Sequence, residues 1–224
     1  TDDILKALTE FERDGNVIGS NSWGDNYGDP RSPESLMVKA IADKGAFLFF
    51  AAGNSSGSNT IGAPAIVHSL SPINGVPRVI TVTATTREEK VASFASRGPR
   101  SQATKNDESY PRKPTAAEQG VQTEGAWLGG GLRAISGTSM FTPKLAGTMA
   151  MLAMAFGVTT VGDKLDTIAK VMMETLDNRH KQADFEIGDG FNVAYAAYQR
   201  LLQLGFEPVK PKLAVRLARK LMGI

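Results

Sequence analysis

Ala46-Phe47-Leu48-Phe49-Phe50-Ala51-Ala52 is apolar at every position and is bounded by Gly45 on one side and Gly53-Asn54 on the other. An unbroken apolar run between turn residues fits a strand buried on both faces of a parallel sheet, because helices then cover both sides. Val79-Ile80-Thr81-Val82-Thr83 and the shorter Val17-Ile18-Gly19-Ser20-Asn21-Ser22 read as further buried strands. Between and around them lie helical patterns: Ile4-Leu5-Lys6-Ala7-Leu8-Thr9-Glu10-Phe11, ending near Gly15, and 35–44, closed by Gly45. Strands alternating with helices predict an α/β fold, a three-layer α/β/α sandwich on a mostly parallel sheet. In such sheets ligands sit beyond the carboxyl ends of the strands, which is where Ser22 to Gly24 and Gly53-Asn54 fall.

Beyond these strands the pattern changes. Residues 96–134 are rich in glycine, proline and polar side chains, and predict long surface loops with short strands. The stretch 139–156 is nearly all apolar, which predicts a helix buried centrally. Helices follow at 164–176, more exposed, and at 191–204, amphipathic. Pro208 and Pro211 then break the chain, so the main domain is expected to span 1–206. A basic tail or helix, 207–224, carries Lys212, Arg216, Arg219 and Lys220, most simply on a solvated face.

With 42% hydrophobic and 21% charged residues, the 224-residue chain has the composition of one globular domain. Basic and acidic residues number 25 and 23, a balance that offers nothing to a nucleic acid. No cysteine is present, which removes disulfides, thiolate catalysis and cysteine-held zinc together. No continuous apolar stretch reaches the roughly 20 residues of a membrane span. The compartment is left open, with a secreted protein or one of a virion or cell assembly favoured over a membrane one.

The chemistry centres on Ser136-Gly137-Thr138-Ser139-Met140-Phe141-Thr142-Pro143. A serine at the start of a buried helix meets the positive end of the helix dipole and unpaired N–H groups. Pro143 is tolerated because it lies in the first turn. This stretch resembles the serine motif G-T-S-M-x-x-P of the subtilase family. Ala51-Ala52-Gly53-Asn54 resembles the strand end from which subtilases supply their oxyanion asparagine. Asn21-Ser22-Trp23-Gly24 is similar to the edge that binds peptide by backbone pairing, and Gly62-Ala63-Pro64-Ala65 to the wall of the specificity pocket. Ala92-Ser93-Phe94-Ala95-Ser96-Arg97-Gly98-Pro99 and Gly188-Asp189-Gly190-Phe191-Asn192-Val193 are fainter echoes.

The resemblance runs from about Asp2 to Leu202. It implies a serine endopeptidase with Ser139 as nucleophile and Asn54 as oxyanion donor. Ser22, Trp23, Gly24, Ala52, Gly53, Gly62 and Thr138 are implied to contact the substrate. The motif around Gly62 holds no acid, which points to a neutral or apolar side chain just before the scissile bond. Sedolisins share the fold and the G-T-S serine but place an aspartate where Asn54 stands, so Asn54 favours subtilases.

The departures matter as much. Subtilases order their triad Asp, His, Ser. Neither the D-[ST]-G motif nor H-G-T-x-V-A occurs in this chain. Both histidines, His68 and His180, sit in unrelated contexts, and Lys144 is about 140° round a helix from Ser139 at 3.6 residues per turn. Phe141 stands where the family has a small residue, and is expected near the cleft. Lys113-Pro114-Thr115-Ala116-Ala117-Glu118-Gln119-Gly120 loses the aspartate and second proline of K-P-D-V-A-A-P-G.

Without the N-terminal strands, one edge of the sheet should expose backbone and apolar surface. The expected partners are therefore a peptide substrate and the N-terminal half of the same precursor, as a separate chain supplying Asp and His. Thr1 rather than Met at the start fits a processed or truncated product. No cofactor is firmly implied; calcium, frequent in subtilases, finds no clear carboxylate loop. The alternative is a catalytically inactive subtilase-like module that binds or builds within a larger assembly. A lipase-type hydrolase, which needs a G-x-S-x-G elbow, is the weakest reading.

Overall fold

The computed structural model describes residues 2–26, 28–98, 113–119 and 121–209. Four parallel strands form one sheet in the order β1 (Ile18–Asn21), β2 (Phe47–Ala51), β3 (Val79–Thr85) and β4 (Ala116–Gln119). Side chains alternate across a strand, so β2 feeds two cores at once. Phe47 and Phe49 face one core with Ile80, Val82, Leu145 and Met149. Leu48 and Phe50 face the other with Leu8, Val38, Ile41 and Val79. Helices α1 (Asp2–Arg13) and α2 (Pro33–Asp43) contribute to the second core. Helices α3 (Thr142–Ala155), α4 (Asp163–Glu174) and α6 (Ala194–Gln203) contribute to the first. The predicted α/β/α sandwich is the observed fold.

Local chemistry sets the boundaries. Ser32 caps α2 by accepting the Ser35 N–H at 3.2 Å, and Pro33 occupies its first position. The central helix starts later than its apolar pattern predicts. Residues Thr138–Met140 form a 3₁₀ turn, and α3 begins only at Thr142. The Phe141 N–H bonds the Thr138 carbonyl at 3.2 Å and the Thr142 hydroxyl donates to the same carbonyl at 3.1 Å, which tightens this entry. The helix predicted at 164–176 is less exposed than expected, with Leu165, Ile168, Val171 and Met172 all buried in the first core. The last helix starts at Ala194 because Phe191 pairs its backbone with Asp177.

Within 96–134, surface loops with short strands were expected, and one of the strands is no surface element: Ala116 and Ala117 are fully buried as β4 joins the sheet. A hairpin of β5 (Thr123–Ala126) and β6 (Leu132–Ile135) then projects from it. A single-turn helix, α5 (Asp184–Ile187), completes the elements. Residues 99–112, with Pro99, and the tail helix predicted at 213–222 lie outside the described residues.

A buried ion pair and a buried lysine hold the periphery. Arg78 Nη2 meets Asp166 Oδ2 at 2.7 Å with both side chains almost fully buried, and the Ser71 hydroxyl donates to the same oxygen at 2.5 Å. The guanidinium also lies over the Phe47 ring at 5.6 Å. This pins the segment leading into β3 onto α4. Lys113 is buried beside the start of β3 and donates to the Val79 carbonyl at 2.6 Å. Burial pulls its pKa down from 10.5 to about 7.

Removing one partner of the Arg78–Asp166 pair strands the other in the core, so Asp166→Ala should cost about 3–5 kcal/mol in urea unfolding. Lys113 predicts a pH dependence. Between about pH 7 and 10.5 the unfolded chain holds a proton that the folded chain has released. Stability should therefore rise with pH across that window, by up to about 1.4 kcal/mol per pH unit. The penalty is complete below pH 7. Lys113→Met should abolish the slope and raise stability most at neutral pH and below; an unchanged slope in that variant refutes the assignment.

Candidate active site

The carboxyl ends of β1 and β2 and the turn before α3 enclose an open cavity of about 330 Å³. Ser22, Trp23, Gly24, Ala52, Gly53, Asn54, Gly62, Thr138 and Ser139, all singled out in the sequence, line it together. They come from four separate stretches of chain, which the sheet topology brings to one end.

Ser139 lies in the 3₁₀ turn immediately before α3, so it stands ahead of that helix's positive end. The Ser22 hydroxyl donates to the Ser139 carbonyl at 3.0 Å, tying the end of β1 to the turn that bears Ser139. Ser22 therefore holds the serine's backbone, a role the strand-edge motif did not reveal.

Asn54 is interlocked with the same turn. Its Oδ1 accepts from the Thr138 N–H at 3.0 Å and from the Thr138 hydroxyl at 3.1 Å. Only the oxygen of the amide can accept an N–H, so this pairing assigns the orientation and turns Nδ2 the other way. A Cβ built on Gly137 would stand 3.5 Å from Nδ2. Thr138 Oγ1 in turn accepts the Gly53 N–H at 3.2 Å, so one buried threonine fixes both the strand end and the amide. Gly53 has φ of +105°, and a side chain there would meet Ser96 Oγ at 2.8 Å. Ser96 also receives the Ser55 N–H at 3.1 Å, which explains why the Ala92-to-Gly98 segment matters to the site.

The opposite wall is backbone against backbone. Asp25 N–H donates to the Ala63 carbonyl at 2.9 Å, and Asp25 Oδ1 accepts from Ala63 and Gly28 N–H groups, each at 3.0 Å. A Cβ on Gly62 would fall 1.6 Å from the Asp25 carbonyl oxygen, so only glycine fits there. The Trp23 ring packs edge-on to Phe50 at 5.3 Å, and its Nε1 donates to Asn21 Oδ1 at 3.1 Å. Asp25 was missed in the sequence because the motif around Gly62 has no acid; the acid reaches that wall from another loop.

Other expectations are corrected. Phe141 does not fill the cleft: it is fully buried in the first core, with Lys144 Nζ 5.7 Å from its ring centre. Lys144 donates instead to the Gln119 carbonyl at 2.9 Å. His180 pairs with Glu89 at 2.9 Å, and neither it nor the exposed His68 lines the cavity. Gly53-Asn54-Ser55-Ser56-Gly57 does have the G-x-S-x-G spacing of a nucleophile elbow. An elbow is a strand–turn–helix device, whereas turns and extended chain follow β2 here, so Ser55 lacks that setting. Among the described residues, no three histidine, aspartate or glutamate side chains gather as a metal site, and no helix is long and apolar enough to cross a membrane.

Comparison with known proteins agrees with this geometry. The chain is 27% identical to pyrolysin of Pyrococcus furiosus, over 76% of this chain and 13% of that protein. It is 28% identical to proteinase R of Parengyodontium album, over 82% of this chain and 39% of that protein. The chain thus spans well under half the length of these curated relatives. A solved structure described as patellamide maturation protease PatA superposes with a TM-score of 0.67 at 21% identity, covering 92% of this chain and 69% of that one. That likeness is one of fold. A model of the subtilase family matches residues 1–190, and the chain belongs to that family of serine proteases.

Proposed function

We propose that this chain carries the nucleophile and oxyanion half of a subtilisin-type serine endopeptidase, completed by an N-terminal segment or chain that brings Asp and His. The observation that carries the reading is the Thr138 interlock. It holds the Asn54 amide with its donor turned away from Thr138, beside the turn that bears Ser139. Ser139 Oγ attacks the peptide carbonyl, giving an acyl-enzyme on Ser139 once the amine departs. Asn54 Nδ2 and the Ser139 N–H hold the developing oxyanion. The histidine takes the serine proton and passes it to the leaving amine. The strand edge at 22–24 and the wall at Gly62 position the peptide.

Two open surfaces support the missing partner. Among the described residues β1 is the edge of the sheet, and a groove of about 550 Å³ beside it is lined by Ile4, Leu8, Phe11 and Ile18. α3 packs against the sheet with one face, yet its other face shows Met151 at 62% and Met154 at 71% exposure. A helix apolar all round belongs in an interior. A strand paired to β1 and a helix laid on α3 would cover both surfaces, and place a base from that segment near Ser139. The competing reading is an inactive module, favoured by one fact: no histidine lines the cavity among the described residues.

A fluorophosphonate probe applied to the full assembly should label Ser139, located by mass spectrometry. No label, with a known subtilase labelled in parallel, overturns the protease reading. Asn54→Ala should lower kcat by about 10²–10³-fold, the size established for this donor in subtilisin itself. Thr138→Val, which loosens Asn54 without touching the reacting atoms, should lower kcat roughly ten- to a hundredfold with KM little changed. In peroxide footprinting, Met151 and Met154 should oxidise readily in the isolated chain and be protected in the assembly. Equal oxidation in both would remove α3 as the docking face.

A further inference from the structure

The hairpin of β5 and β6 runs straight into the turn that bears Ser139, since β6 ends at Ile135 and the turn begins at Thr138. Its root is braced. The Gln122 N–H donates to Ser136 Oγ at 2.8 Å, and Lys144 of α3 donates to the Gln119 carbonyl at 2.9 Å. Its outer part has no core of its own. Two strands alone hold together poorly in water, yet Trp127 is 43% and Leu128 93% exposed.

Side chains alternate across a strand, and Arg133 stands opposite Gly125, so Gly125, Trp127 and Arg133 share one face of the ribbon. The Arg133 guanidinium lies over the Trp127 ring at 4.4 Å, in keeping with that shared face. A Cβ on Gly125 would meet nothing within 4 Å, which leaves a notch between the stacked pair and the root. Ring and cation together make a platform for a large apolar side chain. Among the described residues Arg133 forms no ion pair, so a carboxylate from outside is its complement.

Position supplies the occupant. β1 and β4 are the outer strands of the sheet, the 22–24 edge follows β1, and the hairpin follows β4. The turn that bears Ser139 is tied to both, through Ser22 on one side and through Ser136 and Gln122 on the other. A peptide laid along 22–24 up to its scissile bond therefore continues past Ser139 toward the hairpin. Arg133 precedes Ser139 by six residues, at most about 21 Å of extended chain, which a leaving segment of about six residues spans.

We propose that the Trp127–Arg133 face of the hairpin docks the leaving side of the peptide substrate. It takes a large apolar side chain on the Trp127 ring and an acidic side chain at Arg133. The proposal rests on the peptide-cleaving reading given above.

The full assembly bearing Ser139→Ala, which cannot turn over, is titrated by fluorescence anisotropy with two labelled peptides. Both share one half of alanine and leucine before the scissile bond. Their six-residue leaving segments carry phenylalanine and glutamate in one, glycine and glutamine in the other. The first should bind about five- to tenfold more tightly, and the ratio should shrink as salt is raised. Trp127→Ala should bring the ratio to within about twofold, and Arg133→Gln should remove its salt dependence. A ratio near unity in the parent, or one that survives both substitutions, overturns the proposal. So does equal weakening of both peptides by Trp127→Ala, since the hairpin then acts only through the turn that bears Ser139. Should one variant not fold, the other decides. Binding of neither peptide overturns this proposal. The peptide-cleaving reading falls with it only where fluorophosphonate also leaves Ser139 of the unmutated assembly unlabelled.

Discussion

Thr138 and Asn54 are 84 residues apart, and three hydrogen bonds among Gly53, Asn54 and Thr138 join the end of a strand to the start of a helix. The geometry at Ser139 follows from them. Thr138 is fully buried, so its hydroxyl must be satisfied locally, and the Gly53 N–H and the Asn54 oxygen satisfy it. That leaves the amide one orientation. Ser22 adds a second tie, from β1 to the Ser139 carbonyl. The turn that bears Ser139 is thereby braced from two parallel strands, and rigid strands hold a side chain in place better than free loops do.

The same strands set which apolar surfaces are covered and which face solvent. β2 and β3 are covered on both faces, and their apolar runs find partners in two cores. Among the described residues β1 is paired on one side only, and α3, which packs over it, shows methionine to solvent. Apolar surface of this kind marks an interface. The groove beside β1 shares Trp23 with the cavity, so this edge and the site adjoin.

The cavity's two walls differ in kind. Around Ser139 the contacts are side chain to backbone and can be tuned by substitution. At Gly24 and Gly62 the chain packs against the Ala63 and Asp25 carbonyls, and an added methyl group would stand 2.8 Å and 1.6 Å from them.

Read alone, the sequence determined the class of fold, since the continuous apolar run of 46–52 can only be satisfied by helices on both faces. It also singled out Ser139 and Asn54, which the structure brings to one cavity, because Gly-Thr-Ser-Met and Ala-Ala-Gly-Asn are local patterns. It overran the start of α3, since apolar content does not distinguish a 3₁₀ turn from a helix. It sent Phe141 to the cleft although the side chain turns into the core. What only the tertiary structure decided was which distant atoms meet: the threonine that orients Asn54, the serine that holds Ser139, and the acid that reaches the Gly62 wall. Those contacts join segments up to 117 residues apart. Residue type and spacing record local preference, whereas such meetings arise only when the sheet closes.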